Sequence, residues 1–467
     1  MGRPLSTRAD AGGRSPLEAS TLNRIRIGAG AGFSGDRIEP AVELAERGGL
    51  DYLVFECLAE RTIALAQLER LRDPDAGFDP LLADRFRAVL PACRAQGVTI
   101  ITNMGAANPL GAARAAARVA RELGLSGLRI AAVRGDDVLA PVLEGDMAFT
   151  DREGRVSDLG DRIISANAYL GAGPIVEALA AGADVVITGR VGDPALFLAP
   201  MLHRFGWADD DWTRLGQGTV IGHLLECAGQ VAGGYFADPG LKDVADLARL
   251  GFPYAEVDEA GEAIIGKVDG SGGQISERTC KEQLLYEVHD PAAYYQPDVV
   301  ADFTGVTLRQ AGLDKVAVSG GRGRSRPATL KATVGYRDGF IGEGQISYAG
   351  PGALARARLA LEIVRERLKL IRLAASEIRF DIIGVDAARR GAARDDGPEP
   401  AEARIRVAGR CESLKDAVRI GNEVESMWLN GPAGGGGATK SAREVIAAAS
   451  VLVARDLATP EIAYEVA

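Results

Sequence analysis

The chain has 467 residues, of which 47% are hydrophobic, and it carries a formal net charge of −10 with a pI of about 5.2. This acidic balance argues against a nucleic-acid or anionic-membrane partner, because both require a basic face. The length predicts two or three domains, since one hydrophobic core rarely serves so long a chain.

Cysteine and histidine patterns exclude several classes of site. The five cysteines contain no C-x-x-C pair, which gives neither a thiolate zinc site nor a disulfide framework. The three histidines, His203, His223 and His289, match no zinc-binding spacing. No apolar run is long enough to span a membrane, and residues 1–23 lack the apolar core of a signal peptide. We therefore expect a cytoplasmic protein that begins with a disordered tail over residues 1–23.

Residues 24–240 alternate short apolar strands with helices. After an opening strand that begins at Arg24, the predicted strands are Asp51–Glu56, Val98–Thr102, Leu128–Val133 and Asp184–Thr188. The predicted helices are Glu39–Gly48, Arg61–Arg72, Leu81–Gln96, Pro109–Leu123 and Pro174–Ala181. Apolar strands between helices predict an α/β domain with a doubly wound, mostly parallel, Rossmann-like three-layer sheet. An eight-unit barrel would need more repeats than this region contains.

The pattern changes near residue 241. Short strands with period-two alternation appear at Thr329–Val334, Glu377–Ile383 and Ala403–Val407, and long helices appear at Ala353–Leu373 and Ser413–Trp428. Charge and Pro/Gly content mark residues 387–403 as an exposed loop. Residues 241–467 are therefore predicted to form a second, α+β domain with a glycine-rich loop near 431–441.

The glycine run after the first strand is the first candidate binding feature. Gly30-x-Gly32-x-x-Gly35 has the spacing that turns a backbone off a strand and presents N–H groups to a phosphate or carboxylate. Asp36 and Arg37 follow at once, and Arg37 would help to bind the anion. The same spacing also fits a flexible turn between a strand and a helix.

Polar residues follow the ends of several predicted strands. In an open parallel sheet, ligands bind outside the carboxyl ends of the strands. Carboxylates near arginines can act as a general acid and a general base, while arginine grips an anionic substrate. The predicted catalytic residues are Asp36, Glu56, Asn103, Arg190 and Asp193, with Arg134 at another strand end, and Arg61 and Asn108 are further candidates for substrate binding. Helix capping alone would also place polar residues at such points.

Two further glycine-rich segments could bind anions. Gly171 and Gly173 precede a proline at a helix start, with Asn167 just upstream. Gly435 and Gly436 precede Lys440 in a run that resembles a phosphate-binding loop, but Thr439 stands where that motif requires glycine. The glycine run before Lys440 could instead be a disordered loop tip.

One histidine has a neighbour of interest. Glu226 lies three residues after His223, which would place both on one face of a helix. A buried or surface histidine without a catalytic role is the alternative interpretation.

Long strings of the chain resemble the acyclic terpene utilisation family, AtuA. The resemblance runs over nearly the whole chain from about Arg24 and is carried by GAGAGFSGDR from Gly28, YLVFECLAERT from Tyr52, TNMGAANP from Thr102, NAYLGAGPIVEALAAGADVVITGRVGDPALFLAP from Asn167, GHLLECAGQVAGGYFADPG from Gly222, KEQLLYEVHDPAAY from Lys281, VGYRDGFIGEGQISYAGPGALARARLA from Val334 and NGPAGGGG from Asn430. It implies a bacterial cytoplasmic protein in the catabolism of acyclic terpenoids such as citronellol and geraniol, or of related branched acids or their coenzyme A thioesters. It also implies that a small ferredoxin-fold domain, where needed, comes from a separate subunit, and we expect a homo-oligomer.

Three functions remain open on the sequence. The leading hypothesis is a hydro-lyase or lyase that acts on a small carboxylate or acyl-CoA, with Glu56 and Asp36 as acid–base residues, and with Arg190 and Asn103 orienting the substrate. The first alternative is an NAD(P)-dependent oxidoreductase, because Glu56 lies about twenty residues after Gly35, where a dinucleotide fold places its ribose-binding acid. The second alternative is a non-catalytic scaffold for a small partner chain. No cofactor is required by any motif, although a divalent metal ion or the coenzyme A part of a substrate stays open.

Overall fold

The computed structural model of the chain describes residues 23–388 and 399–467. The predicted tail therefore lies outside the described residues apart from Asn23, as does most of the predicted loop at 387–403. The strands are β1 (Arg24–Ala31), β2 (Tyr52–Phe55), β3 (Thr99–Thr102), β4 (Arg129–Arg134), β5 (Ile163–Ala168), β6 (Val185–Thr188), β7 (Pro253–Asp258), β8 (Ala263–Lys267), β9 (Tyr294–Tyr295), β10 (Val300–Asp302), β11 (Thr307–Gly312), β12 (Lys315–Ser319), β13 (Arg322–Arg324), β14 (Thr329–Ala349), β15 (Glu377–Ile383), β16 (Glu402–Cys411), β17 (Gly436–Ala454) and β18 (Glu461–Val466).

The helices of the described residues follow in the same order. They are α1 (Glu39–Arg47), α2 (Glu60–Arg72), α3 (Leu82–Gln96), α4 (Pro109–Glu122), α5 (Leu139–Gly145), α6 (Gly173–Ala180), α7 (Ala195–Phe205), α8 (Trp212–Glu226), α9 (Glu277–Leu285), α10 (Ala353–Leu370), α11 (Leu414–Glu425) and α12 (Met427–Asn430).

A ten-stranded sheet is the main structural element, with the order β11-β12-β8-β7-β1-β2-β3-β6-β4-β18. The central strands β1, β2, β3, β6 and β4 pair in parallel. Strands β2 and β6 are buried at every residue, which requires cover on both faces of the sheet. Helices α1, α3 and α4 contact one another in turn, as do α6, α7 and α8, and β1 contacts helices of both groups.

The edges of this sheet differ from the predicted arrangement. Antiparallel strands β7, β8, β12 and β11 extend one edge, and the C-terminal β18 pairs antiparallel with β4 at the other. The α/β class is therefore confirmed, but the sheet is mixed rather than mostly parallel, and a doubly wound arrangement is not confirmed. The antiparallel strands β7 and β18 pair with the N–H and C=O groups of β1 and β4, which would be unpaired if the parallel strands formed the whole sheet.

Two compact units divide the chain. The first contains residues 23–158, 165–334 and 449–467, and the second contains residues 159–164 and 335–448. This division differs from the predicted boundary at residue 240, because the antiparallel strands between residues 253 and 319 pair with the parallel sheet of the first unit.

The second unit is built around an antiparallel sheet of order β15-β16-β14-β17. Its elements follow the β-α-β-β-α-β order of a ferredoxin-like motif, with α10 and α11 as the two helices. Side chains from these helices, such as Val364 and Ile420, share a buried core with Ile405 and Val407 of β16. The sequence pattern predicted the α+β character of this region but did not reveal the motif.

No described helix has both the length and the apolar character that a bilayer crossing requires.

Candidate active site

The carboxyl ends of the parallel strands bring several of the predicted residues together. Glu56 follows β2, Asn103 follows β3, and Arg190 follows β6, and all three side chains are buried. Parallel pairing aligns these strand ends at one sheet edge, as the sequence analysis expected.

Arg190 is the centre of this edge, and its side chain is only 1% exposed. Nε donates a hydrogen bond to the Val191 carbonyl at 2.9 Å, and Nη1 donates to the Leu58 carbonyl. Nη2 donates to the carboxylate of Asp193. Burial opposes the charge, but Asp193 and neighbouring groups hold the pKa of Arg190 above its usual value. Because the chain itself engages all three guanidinium nitrogens, Arg190 orients Asp193 rather than a substrate carboxylate, which differs from the predicted role.

Asp193 connects this buried ion pair to open space. Its side chain is 38% exposed, although the partner guanidinium is nearly inaccessible. Burial raises the pKa of Asp193, while the Arg190 guanidinium opposes that rise and fixes the orientation of the carboxylate, as a positioned general base requires.

Glu56 and Asn103 form a buried pair beside the arginine. Asn103 Nδ2 donates to Glu56 Oε1 at 2.8 Å, and the Leu58 N–H donates to the same oxygen at 2.9 Å. Asn103 Oδ1 accepts from the Cys57 N–H at 2.7 Å. Burial, reinforced by the charge of Asp193, raises the pKa of Glu56 well above its usual value. The amide of Asn103 thus fixes the backbone after β2, and burial favours the protonated form of Glu56.

Asp136 and Asn167 form hydrogen bonds next to Arg190 at the same edge of the sheet. Asp136 Oδ2 accepts from Asn167 Nδ2 at 2.9 Å and from the Arg190 N–H at 3.0 Å. Burial raises the pKa of Asp136 to about 6. Asn167 was predicted to bind an anion, and the anion it contacts is this carboxylate of its own chain.

A cavity of about 520 Å³ opens at this edge within the first unit. Its volume falls within the range of about 300–1,000 Å³ that small-molecule sites occupy. Its lining combines charged groups with apolar surface and includes Glu60, Tyr169, Asp193, Tyr294, Leu330 and Lys331.

Tyr169 organises the charged side of the cavity. Its hydroxyl donates to Glu60 Oε1 at 2.7 Å, and the Arg190 guanidinium lies over its ring at 4.3 Å from the centroid. Lys331 Nζ lies 5.0 Å from the same centroid and 3.3 Å from Glu60 Oε1. Burial opposes ionisation of Glu60, but the hydrogen bond from Tyr169 and the charge of Lys331 help to lower its pKa to about 2. Glu60 therefore stays ionised, while the 45% exposed side chain of Lys331 offers a cation to a ligand.

The predicted neighbours His223 and Glu226 contact each other behind the wall of the cavity. His223 Nδ1 and Glu226 Oε1 are 2.7 Å apart, which confirms that they share one face of α8. Tyr294, which lines the cavity, packs its ring on His223 with 5.2 Å between centroids.

Comparison with known proteins gives one family. A family model described as acyclic terpene utilisation family protein AtuA matches residues 25–464. The chain belongs to this family. None of the curated proteins matches the chain.

In this AtuA-family chain, groups of the protein itself occupy the space around the glycine run at the end of β1. Asp36 Oδ2 accepts from the Gly32 N–H at 3.0 Å, so the loop already holds a carboxylate. A Cβ on Gly30 would lie 2.6 Å from the Phe55 ring, and one on Gly32 would lie 2.5 Å from the Cys227 backbone. Neither glycine has a positive φ, and close packing is what requires them. The loop therefore does not offer the predicted open anion site.

The rest of this loop is held by Arg85. This buried arginine donates to the carbonyls of Ser34 at 2.8 Å and Asp36 at 3.1 Å. Gly35 and Arg37 are exposed, and Arg37 Nη1 donates to the Leu247 carbonyl at 3.0 Å. Asp36 is thus a loop-capping residue, and it is absent from the lining of the cavity that Asp193 faces.

The predicted anion site at the start of α6 is likewise occupied from within. The Ala172 N–H donates to both carboxylate oxygens of Asp298, at 3.0 and 3.1 Å. A Cβ on Gly171 would lie 2.3 Å from Asp298 Oδ1, whereas Gly173 has open space. This carboxylate supplies the negative charge that the helix start favours.

The remaining predicted binding residues have structural contacts or lie elsewhere. Asn108 caps α4 by accepting from the Gly111 N–H at 3.0 Å, and Arg61 is exposed on α2. Gly435, Gly436 and Lys440 belong to the second unit, where Lys440 Nζ donates to Asn422 Oδ1 at 2.9 Å. The described residues contain no cluster of three or more side chains that could ligate a metal ion.

Sequence reasoning missed Glu60, Tyr169, Tyr294 and Lys331. Tyr169 and Glu60 lie inside strings that carried the family resemblance, but no spacing rule singled them out. Lys331 pairs with Glu60, which lies 271 positions away in the sequence, so no local sequence pattern connects the two residues.

Proposed function

We propose that this protein is an enzyme that performs acid–base chemistry on a branched, acyclic carboxylate or its acyl thioester. The reaction adds or removes water, or cleaves a carbon–carbon bond, in the cavity that Asp193 faces. Family membership supports a role in acyclic terpene utilisation, and the substrate and reaction class are our inference.

The observation that carries the proposal is the pairing of Asp193 with Arg190 at the cavity. The Arg190 guanidinium orients Asp193 and opposes the rise in pKa that burial causes there, whereas burial raises the pKa of Glu56 beside it well above its usual value. Two carboxyl groups whose environments push their pKa values apart are the arrangement that acid–base enzymes use. We assign Asp193, in place of Asp36, as the general base.

Substrate binding follows from the remaining lining. The ammonium of Lys331 can pair with a carboxylate or a thioester carbonyl, and Tyr169 and Glu60 fix its position. Tyr294, Leu330 and Leu452 provide apolar surface for a branched hydrocarbon chain.

Asp193→Asn provides the test. The variant keeps the size of the side chain but cannot accept a proton, so we expect turnover to fall about 100-fold or more. Purified protein would be assayed with geranate, citronellate and their coenzyme A thioesters, and products would be detected by mass spectrometry as gain or loss of water or as chain cleavage.

Asp210→Asn is the matched control, because Asp210 is an exposed aspartate outside the lining of the cavity. It should retain wild-type turnover. Full activity of a folded Asp193→Asn protein would show that Asp193 is not the base.

No observation on the described residues favours either of the two alternative functions. An NAD(P)-dependent reaction would need an open glycine loop, and Gly32 and Asp36 already bind each other there. Titration with NAD(P)H followed by nicotinamide fluorescence would expose such binding. A scaffold role would be favoured if turnover appeared only with a co-purified small subunit and survived the Asp193→Asn change.

A further inference from the structure

A buried polar cluster lies next to Tyr294 of the cavity lining and was assigned no role in the reaction proposed above. It consists of His223 and Glu226 on α8 and Gln283 on α9. His223 is 1% exposed and Gln283 is 1% exposed. The amide nitrogen of Gln283 donates to the His223 carbonyl at 2.9 Å, which ties the two helices together.

Three atoms of this cluster have no hydrogen-bond partner among the described residues. They are His223 Nε2, Glu226 Oε2 and Gln283 Oε1. Buried polar atoms without partners carry a free-energy penalty, and native proteins keep them where an internal water or a chemical role requires them. An apolar side chain would fill the same space without that penalty, so packing alone does not explain the cluster.

Burial favours the uncharged form of both members of the His223–Glu226 pair. Burial lowers the pKa of His223 to about 4. Burial, followed by the charges of Asp193 and Glu287, raises the pKa of Glu226 well above its usual value. In these uncharged forms, the 2.7 Å contact between Nδ1 and Oε1 is a hydrogen bond between a carboxylic acid and a neutral imidazole.

Such a pair can move a proton without gaining charge. In one state Glu226 Oε1–H donates to Nδ1, and Nε2 carries the second ring proton. When Oε2 takes up a proton, the Oε1 proton passes to Nδ1 and Nε2 releases its proton. The pair returns to a neutral state, and the reverse sequence restores the first arrangement.

The cluster is close to the cavity that Asp193 faces. Tyr294 packs on the His223 ring and also belongs to the lining of the cavity. The electrostatic effect of Asp193 on Glu226 places the proposed base near the same pair.

We propose that His223 and Glu226 form a neutral proton relay that exchanges protons with the cavity past Tyr294, with internal water bound at the unpaired atoms. The relay positions and resupplies protons for the proposed acid–base reaction, so its role in turnover rests on that function. The existence of the relay as a proton path does not depend on the proposed function.

Selective labelling makes the path observable. The chain has three histidines, so protein labelled with ¹⁵N-histidine gives few ring signals to assign. Glu226→Gln is the decisive variant, because Gln matches the shape and neutrality of the protonated acid but cannot pass a proton. We expect His223 to stay a neutral imidazole between about pH 6 and 8. We also expect its ring N–H to exchange with solvent about tenfold more slowly in Glu226→Gln, with turnover about 100-fold lower.

Glu282→Gln is the control, since this exposed glutamate lies on α9 near the cluster in sequence and pairs with Lys242. It should change neither quantity. His223→Gln, which lacks the imidazole ring, should lose turnover like Glu226→Gln. If Glu226→Gln does not fold, full turnover of folded His223→Gln overturns the part of the relay in the reaction.

The outcomes separate the relay from the proposed function. Unchanged exchange at His223 in Glu226→Gln overturns the relay, whatever the turnover. Slower exchange with full turnover overturns its part in the reaction. If the wild-type protein converts none of the tested acids or thioesters, the proposed function fails, and the exchange rates still decide whether the relay exists.

Discussion

The glycine loop after β1 and the arginine cluster after β6 follow strands of the same sheet, yet they use their polar groups in opposite ways. In the loop, Asp36 caps the Gly32 N–H and the neighbouring space is filled by Phe55 and Cys227. In the cluster, Arg190 is likewise hydrogen-bonded within the chain, but its partner Asp193 remains 38% exposed. A polar residue at a strand end thus becomes a candidate for chemistry only where its partner faces a cavity.

The largest expected difference between the two regions is in stability. Arg190→Leu should lower the free energy of unfolding by about 3–5 kcal/mol, because it leaves Asp193 without its cation and three acceptors without donors. Arg37→Ala removes an exposed side chain of the loop and should change it by less than about 0.5 kcal/mol. Urea unfolding of both variants measures the contrast. Equal values would mean that the buried guanidinium does not organise its edge.

A second difference concerns pH. The folded-state pKa of Asp136, beside the cluster, is raised from 3.8 to about 6 by burial. A raised pKa means that the protonated side chain favours the folded state. This stabilisation is complete below about pH 3.8 and is lost as the pH rises through about 6.

Asp136→Asn removes that dependence while keeping an oxygen for Asn167. The wild-type protein should therefore be more stable relative to the variant at low pH, and this advantage should disappear by about pH 7, with an upper limit of about 3 kcal/mol. Unfolding curves at several pH values measure it. A constant difference would show that Asp136 titrates normally in the fold.

The smallest effect distinguishes two glycines within the loop. A Cβ at Gly32 meets the Cys227 backbone at 2.5 Å, whereas one at Gly35 meets only the exposed Phe33 ring at 2.9 Å. Gly32→Ala should cost about 1–3 kcal/mol because the backbone cannot yield. Gly35→Ala should cost less than about 0.5 kcal/mol because the ring can rotate away. Thermal unfolding of the pair tests this order, and its reversal would contradict the packing explanation for the glycines.

The sequence determined the local structure of the first half closely. The helix predicted to begin at Glu39 and the strand predicted at 128–133 appear as α1 and β4, within a residue or two of their predicted ends. Apolar positions that recur every 3.6 residues indicate a helix, and a short unbroken run of apolar residues indicates a buried strand. Both patterns involve neighbouring positions, so they can be read directly from the sequence. The same logic located Glu56, Asn103, Arg190 and Asp193 after strands that meet at one edge.

Only the tertiary structure decided which polar groups form hydrogen bonds within the chain and which face the cavity. Asp36 and Arg190 each follow a strand in the sequence, but Asp36 caps its own loop, whereas Arg190 binds backbone carbonyls and Asp193. Tyr169, Tyr294 and Lys331 reach the cavity from distant parts of the chain. The reason is physical: periodicity is local, whereas strand pairing and burial join residues hundreds of positions apart, and these joins set the exposure and the charge of each side chain.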